Sequence, residues 1–362
     1  MSDVAERPRV HVFFPYATEV GGSEMRALEI TRQLRELCGA DAQLWATSSR
    51  SRAAFRRRHG IRLFLPWHLR LGGSFVFVGT FWKPGRLLRL TRPQQLTVIV
   101  NTMEPGRFAN FLPLYRRICP AVRFVYTCEL QRRTHGVDGD IHLSPIDLQR
   151  FAPEPARPAA VAGRLRVGRC SRDALDKHHA LYDPELYAQL SREGMEFDLL
   201  GARSLAPLLD PHPAIRLRPE GELEVASFLR GLDVFFYRTG TFYDPAARVV
   251  WEAMACGLPV VCHRFAGHAD HIVHGQTGFV FDEQREAIEI LRRLRDDPAL
   301  RERIGRNARR AIEARFAPER LRNMLATYYA APAAPEPGAA SPPAARGVWP
   351  QQEKEKTRSV RP

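Results

Sequence analysis

The period of apolar and polar positions changes repeatedly along this chain. Residues 9–16 (RVHVFFPY) form a β-branched and aromatic run of strand length, two glycines stand at 21–22, and residues 23–37 carry apolar positions at helical spacing. Strand, glycine turn and helix is the opening of an α/β sheet. Further apolar runs of strand length recur at 42–46, 74–78, 96–100, 123–127 and 141–143, with helix-length segments such as 107–118 between several of them. That alternation predicts a mostly parallel sheet.

Residues 151–163 (FAPEPARPAAVAG) lose the pattern and read as a linker. The alternation then restarts, with strands predicted at 165–167, 197–200, 215–217, 234–237, 258–261 and 279–281. Helices are predicted at 222–230, 246–255, 283–296 and 298–315, with a last one reaching about residue 330. The expectation is two α/β domains in tandem, 1–150 and 151–330. The tail, 331–362, holds seven Pro and seven Ala in 32 residues and is expected to be disordered.

With 44% hydrophobic and 26% charged residues the chain can bury a sizeable core. No apolar run approaches the roughly 18 residues of a membrane span, and the N-terminus lacks a signal pattern, so a cytoplasmic protein is expected. The six cysteines form no CxxC and sit mostly among apolar residues, which points to buried thiols in place of disulfides. The formal charge is +14, but only four of the 54 basic residues are lysines: Lys83, Lys177, Lys354 and Lys356. So strong an arginine bias reads as base-composition drift, and a nucleic-acid partner is not expected, since no stripe of basic and stacking aromatic residues appears.

The densest chemistry lies at 242–282 (FYDPAARVVWEAMACGLPVVCHRFAGHADHIVHGQTGFVFD). Asp244 precedes Glu252 by eight residues; if both were helical they would stand about 80° apart and about 12 Å along the axis. They cannot form one close acid/base pair, yet they can grip two parts of an elongated ligand. Asp244-Pro245 also reads as a plain helix start, with Asp as N-cap and Pro at the first helical position. Glu252, among Val249, Val250, Trp251, Ala253 and Met254, needs a partner if it is buried, and ligand hydroxyls would supply one.

EAMACGLPVV at 252–261, with Asp244 eight residues before its Glu, resembles the Glu-x7-Glu donor region of family 4 retaining glycosyltransferases of the GT-B fold. In the pattern EGFGxxxxEAMAxGxPVV, Asp244 stands for the first Glu and Ala247 for a glycine; Ala266-Gly267 and Asp270 stand for the GGxxE that follows. PYATEVGGSEMRALEI at 15–30 is similar to the family's N-terminal glycine loop. VGRCSRDALDKHH at 167–179 is similar to its GRxxxxK loop with three extra residues, and SPIDLQRFAP at 144–153 to the NGVDxxRFxP entry to its second domain. The resemblance spans residues 9–330.

It implies two Rossmann-like α/β domains facing across a cleft, the first on the acceptor side and the second binding a nucleotide-diphosphate sugar. Glu252 would then hold the ribose hydroxyls, Asp244 would contact the transferred sugar, and Arg248 and Val249 would be further donor contacts. Arg169 and Lys177 would meet the diphosphate, whose charge grows as the glycosidic bond breaks. Gly21 and Gly22 would admit backbone N–H groups and a helix N-terminus to the same phosphates. Glu129, in YTCEL, stands where the family often has a histidine and is assigned to the sugar or acceptor. Transfer in that family proceeds on one face of the sugar with no assigned protein nucleophile. No cofactor or metal is expected, and the acceptor is expected to be a saccharide or lipid-linked precursor of an envelope polysaccharide or glycolipid. The alternative is a catalytically silent protein that binds a sugar nucleotide.

Three further features remain open. Asp138-Gly139-Asp140 spells a DxD metal motif but precedes an apolar strand instead of ending one. His268, His271, His274 and Asp270, at helical spacing, suit either a transition metal or polar lining of the donor pocket. Residues 50–70 combine seven arginines with Phe, Leu and Trp67, which fits either a solvated basic helix with one strand or peripheral contact with an anionic membrane at its inner face.

Overall fold

The computed structural model describes residues 7–16, 21–48, 50–80, 82–154, 165–240 and 243–330. The tail 331–362 and most of the linker lie outside the described residues.

The first half builds a seven-stranded sheet from β1 (Arg9–Phe14), β2 (Asp41–Ala46), β3 (Arg62–Leu63), β4 (Ser74–Val78), β5 (Gln95–Ile99), β6 (Val122–Tyr126) and β7 (Asp140–Ile141). Its order is β3-β2-β1-β4-β5-β6-β7, and every pairing is parallel. Its helices are α1 (Gly22–Cys38), α2 (Ala53–Arg58), α3 (Arg86–Leu90), α4 (Pro105–Ile118) and α5 (Glu129–His135). The second half repeats the design with β8 (Leu165–Cys170), β9 (Met195–Leu200), β10 (Ile215–Arg218), β11 (Val234–Tyr237), β12 (Val260–His263) and β13 (Phe279–Phe281), ordered β10-β9-β8-β11-β12-β13 and again parallel. Its helices are α6 (Tyr182–Arg192), α7 (Val225–Arg230), α8 (Arg248–Ala255), α9 (Gln284–Asp296), α10 (Pro298–Arg315) and α11 (Pro318–Ala326).

The continuous apolar runs are those of strands covered on both faces. Val10, Val12 and Phe14 pack on one side of the first sheet with Ile30 and Leu34 of α1, while Phe13, Phe75 and Phe77 pack on the other with Phe108 and Tyr115 of α4. In the second sheet Val167, Phe197 and Phe236 face one core, and Phe235, Tyr237 and Val260 face the other. Local signals fix the helix ends: α1 stops at Gly39 with φ +62°, where glycine adopts a left-handed cap without penalty, and α10 starts at Asp297, whose carboxylate accepts from the Leu300 N–H at 2.8 Å.

The chain crosses between the halves twice. Leu143, Ile146 and Phe151 already belong to a core of the second sheet, and the return runs through α11, where Leu321 packs with the second half while Leu325 and Tyr328 are buried against the first. The Gln95 amide donates to the Thr327 carbonyl at 2.7 Å. The last residues of the 151–330 segment therefore serve the first sheet, because two apolar side chains there have their buried positions beside α1.

Candidate functional site

In an open parallel sheet the ligand crevice lies beyond the carboxyl ends of the strands, where the strand order reverses. Here those points are β1/β4 in the first sheet and β8/β11 in the second. Gly21 and Gly22 follow β1, Lys177 follows β8 and Asp244 follows β11, so topology brings these four of the expected site residues to the two switch points.

β8 ends on Arg169 and Cys170, and the loop to α6 makes a 3-10 turn at Leu175–Lys177. Lys177 is 8% exposed, and its Nζ stands 3.5 Å from Asp244 Oδ2. Asp244 also accepts from the Tyr237 hydroxyl at 3.1 Å and, through Oδ1, from the Ala246 N–H at 3.2 Å. Burial, and then the charge of Asp244, push the Tyr237 phenol well up, so it remains a donor. Asp244 is not a helix cap: α8 begins at Arg248, and the carboxylate closes a short turn ahead of it. The helical geometry expected for the Asp244/Glu252 pair is corrected accordingly.

Arg169 differs from its expected role. It points inward from the strand and has no exposed surface, so it does not reach the crevice. Its guanidinium donates to the carbonyls of Lys177 and Arg238, stacks 4.8 Å from the Tyr237 ring centre and lies 3.8 Å from Asp183 Oδ2. Asp183 is itself fully buried, accepts from the His179 N–H at 3.0 Å and stands 3.4 Å from Arg238. A charge this deep must be paired and hydrogen-bonded. Arg169 thus anchors the Lys177 loop to the end of β11, and in this structure Lys177 alone of the two cations faces the site.

Glu252 lies on α8 and is 7% exposed; its Oε1 accepts from Arg248 Nε at 2.7 Å. Arg248 Nη1 in turn donates to Ser144 Oγ at 2.9 Å and to the Pro145 carbonyl. Its guanidinium thus turns to the chain crossover. Val249 is half-buried against the second core. In the first half, the expected phosphate cradle at α1 is covered by the helix's own carboxylate: a methyl added at Gly21 would meet Glu24 Oε2 at 2.0 Å, whereas one at Gly22 would meet nothing. Tyr16, with φ +53°, turns the chain at the end of β1. Glu129 opens α5 and is held by Arg132 at 3.0 Å and Arg133 at 2.8 Å. Its neighbour Cys128 touches Gly267 of the second half, which puts the start of α5 at the seam between the sheets.

Asp138 and Asp140 of the DxD pair with Arg132 and Arg123. His268 is fully buried edge-on to Tyr237, His271 meets Arg315 at 3.3 Å, and His274 Nδ1 lies 2.9 Å from the Val280 carbonyl, so the three do not line an open pocket together. Burial holds the His268 imidazole near pKa 4. Among the described residues no three His, Cys, Asp or Glu side chains converge as a metal-ligand set. All six cysteines are free. The sequence reading missed Asp183, Arg238 and Tyr237. Arg238 carried the one usable signal, a lone charge directly after the apolar strand VFFY.

The two facing parallel-sheet domains are those of the GT-B fold. Residues 219–311 match the sequence model of the family described as Glycosyl transferases group 1. The chain is 30% identical over 105 residues to the capsular polysaccharide biosynthesis glycosyltransferase CapM of Staphylococcus aureus, covering 28% of this chain and 27% of that one. It is 31% identical over 195 residues to the D-inositol 3-phosphate glycosyltransferase of Streptomyces avermitilis, covering 46% of this chain and 41% of that one. The alignments thus span from about a quarter to two-fifths of these relatives' lengths. The structure of Anabaena Alr3699/HepE in complex with UDP and glucose superposes with a TM-score of 0.69 at 16% identity, over 89% of this chain and 99% of that one.

Proposed function

We propose that this chain is a family 4 type glycosyltransferase that moves a hexose from a nucleotide-diphosphate sugar to an acceptor hydroxyl with retention at the anomeric carbon. One observation carries the reading: the Lys177 ammonium lies 3.5 Å from the Asp244 carboxylate beyond the carboxyl ends of β8 and β11, Glu252 is buried on the helix that follows, and Asp244 and Glu252 lie in the segment that matches the family. In this reading Glu252 takes the ribose hydroxyls and Asp244 a hydroxyl of the transferred sugar. Lys177 takes the diphosphate, on which negative charge collects as the bond from the anomeric carbon to the phosphate oxygen breaks. The acceptor oxygen bonds to that carbon on the same face, and its proton passes to the departing phosphate. No protein nucleophile, metal or cofactor is assigned to the step. Arg169 acts behind Lys177 as a positioning residue.

The neighbour that binds UDP and glucose makes UDP-glucose the first donor to try, and the capsular relative supports a polysaccharide or glycolipid precursor as acceptor. The test is release of nucleotide diphosphate from a panel of sugar nucleotides, with and without acceptor, preceded by a thermal-shift screen of the same panel, since a ligand that binds only the native state raises its stability. A shift without release would favour the silent binder, a reading supported by the shorter Asp244 and its pairing with Lys177. No shift with any nucleotide would sink both.

A basic face supports attachment to the inner surface of an anionic membrane. Beside the β2/β3 edge of the first sheet, Arg35, Arg56, Arg57 and Arg62 line a depression of about 460 Å³, and Trp67, shortly after β3, is 75% exposed. Among the described residues no helix is long and apolar enough to cross a membrane. Co-sedimentation with phosphatidylglycerol vesicles, lost in R57E/R62E and absent with phosphatidylcholine, is the expected result. Equal sedimentation with both lipids would overturn it.

A further inference from the structure

Arg248 is committed in two directions at once. Nε donates to Glu252 at 2.7 Å, and Nη1 donates to Ser144 Oγ at 2.9 Å and to the Pro145 carbonyl. Arg248 and Glu252 keep only 11% and 10% of their side-chain surface exposed, so solvent screens the pair little. Ser144 and Pro145 sit where the chain leaves the first sheet. The His142 N–H still bonds the Tyr126 carbonyl at 2.9 Å, whereas Leu143 is already packed in a core of the second half. From the other side, Arg26 of α1 donates to the His142 carbonyl at 2.8 Å, and the Tyr328 hydroxyl of the returning crossing lies 3.4 Å from His142 Nδ1. Two arginines, one from each half, therefore clasp neighbouring stretches of the same crossover, and the second crossing touches it at the same point.

A guanidinium is a rigid planar fork, so its ends cannot move independently. A change in the setting of 144–145 must re-aim the Arg248 fork and with it the Glu252 carboxylate. We propose that Arg248 is a positioning residue that couples ribose recognition at Glu252 to the interdomain crossover, an inference that rests on the nucleotide-sugar reading of the site. Coupling between two sites is reciprocal. Nucleotide arriving at Glu252 favours one setting of the crossover, and fixing the crossover changes nucleotide affinity, by roughly 5- to 150-fold for coupling of the usual size.

The test is hydrogen exchange of the full chain with UDP and, separately, GDP. In the wild type, nucleotide slows exchange at 171–179 and 249–256 and also alters it at 140–148. In R248M, which keeps the aliphatic length, nucleotide still protects 171–179 while the response at 140–148 is lost and affinity drops at least about fivefold. S144A, a milder change whose folding is checked by circular dichroism, gives a reduced response at 140–148. A full response at 140–148 in either variant overturns the coupling, as does a wild type that is protected at 171–179 with no change at 140–148. A wild type protected nowhere by either nucleotide removes the nucleotide reading itself.

Discussion

The ammonium of Lys177 and the carboxylate of Asp244 meet at 3.5 Å at the mouth of the second sheet. A retained lysine in a chain that uses arginine at nearly every other basic position fits a compact point charge better than a fork. K177R is expected to lower kcat by at least tenfold while moving the urea midpoint little, since the residue sits on a loop. D244E restores the longer carboxylate of the related pattern and is expected to change the preferred donor sugar more than the nucleotide. A steady-state panel of sugar nucleotides on both variants checks this, and wild-type turnover in K177R would sink the assignment.

Arg169 should behave differently from Lys177. Lysine at 169 could not donate to two carbonyls and stack on Tyr237 together, and it would leave buried Asp183 and Arg238 imperfectly compensated. Breaking a buried charge network costs about 3–5 kcal/mol. R169K is thus expected to shift the urea midpoint strongly, with the remaining folded protein showing reduced kcat in the proposed transfer because the Lys177 loop has lost its anchor. An unchanged midpoint would refute this.

Strand pattern is legible in the sequence, whereas side-chain direction is not. Strands and their parallel order follow from apolar runs separated by helix-length segments, and the positions of Lys177, Asp244 and Glu252 follow from motif spacing within that order. Whether Arg169 faces ligand or core depends on the pleat at the end of β8 and on Asp183, a partner supplied by a helix 14 residues later. The period alone does not state that. Glu24 folding back over Gly21, and α11 returning to the first sheet, are likewise tertiary choices, made by contacts distant in sequence.

Gly267 is closely packed where the two halves meet. A methyl there would come within 2.0 Å of the Pro245 carbonyl and 2.8 Å of Cys128 Sγ. Overpacking of this kind costs about 1–3 kcal/mol. G267A is expected to lower stability by that order and to displace the turn carrying Asp244, whose carbonyl accepts the Gly267 N–H at 3.0 Å. Because the backbone carbonyl is the closer obstacle, adding C128A should not restore activity; full rescue by C128A would show that the thiol was the obstacle instead.

Acid should destabilise the fold well before its carboxylates protonate. Burial lowers His268 to about 4, with His263, His271 and Arg169 pushing the same way and Asp244 opposing, and burial likewise lowers His142 and His271 to about 4 and His178 to about 3. The unfolded imidazole titrates near 6.5, so between that pH and about 4 the unfolded chain binds more protons than the native one. Stability therefore rises with pH through this window and is lost as pH falls from about 6.5 toward 4. At pH 5 a single such histidine removes about 2 kcal/mol of the stability present at neutral pH. Urea midpoints at pH 7.5, 6 and 5 should fall steadily, and H268F, which keeps the ring against Tyr237 without the imidazole, should show a flatter decline. An H268F profile parallel to the wild type would show that the other buried histidines, and not this one, govern the acid limb.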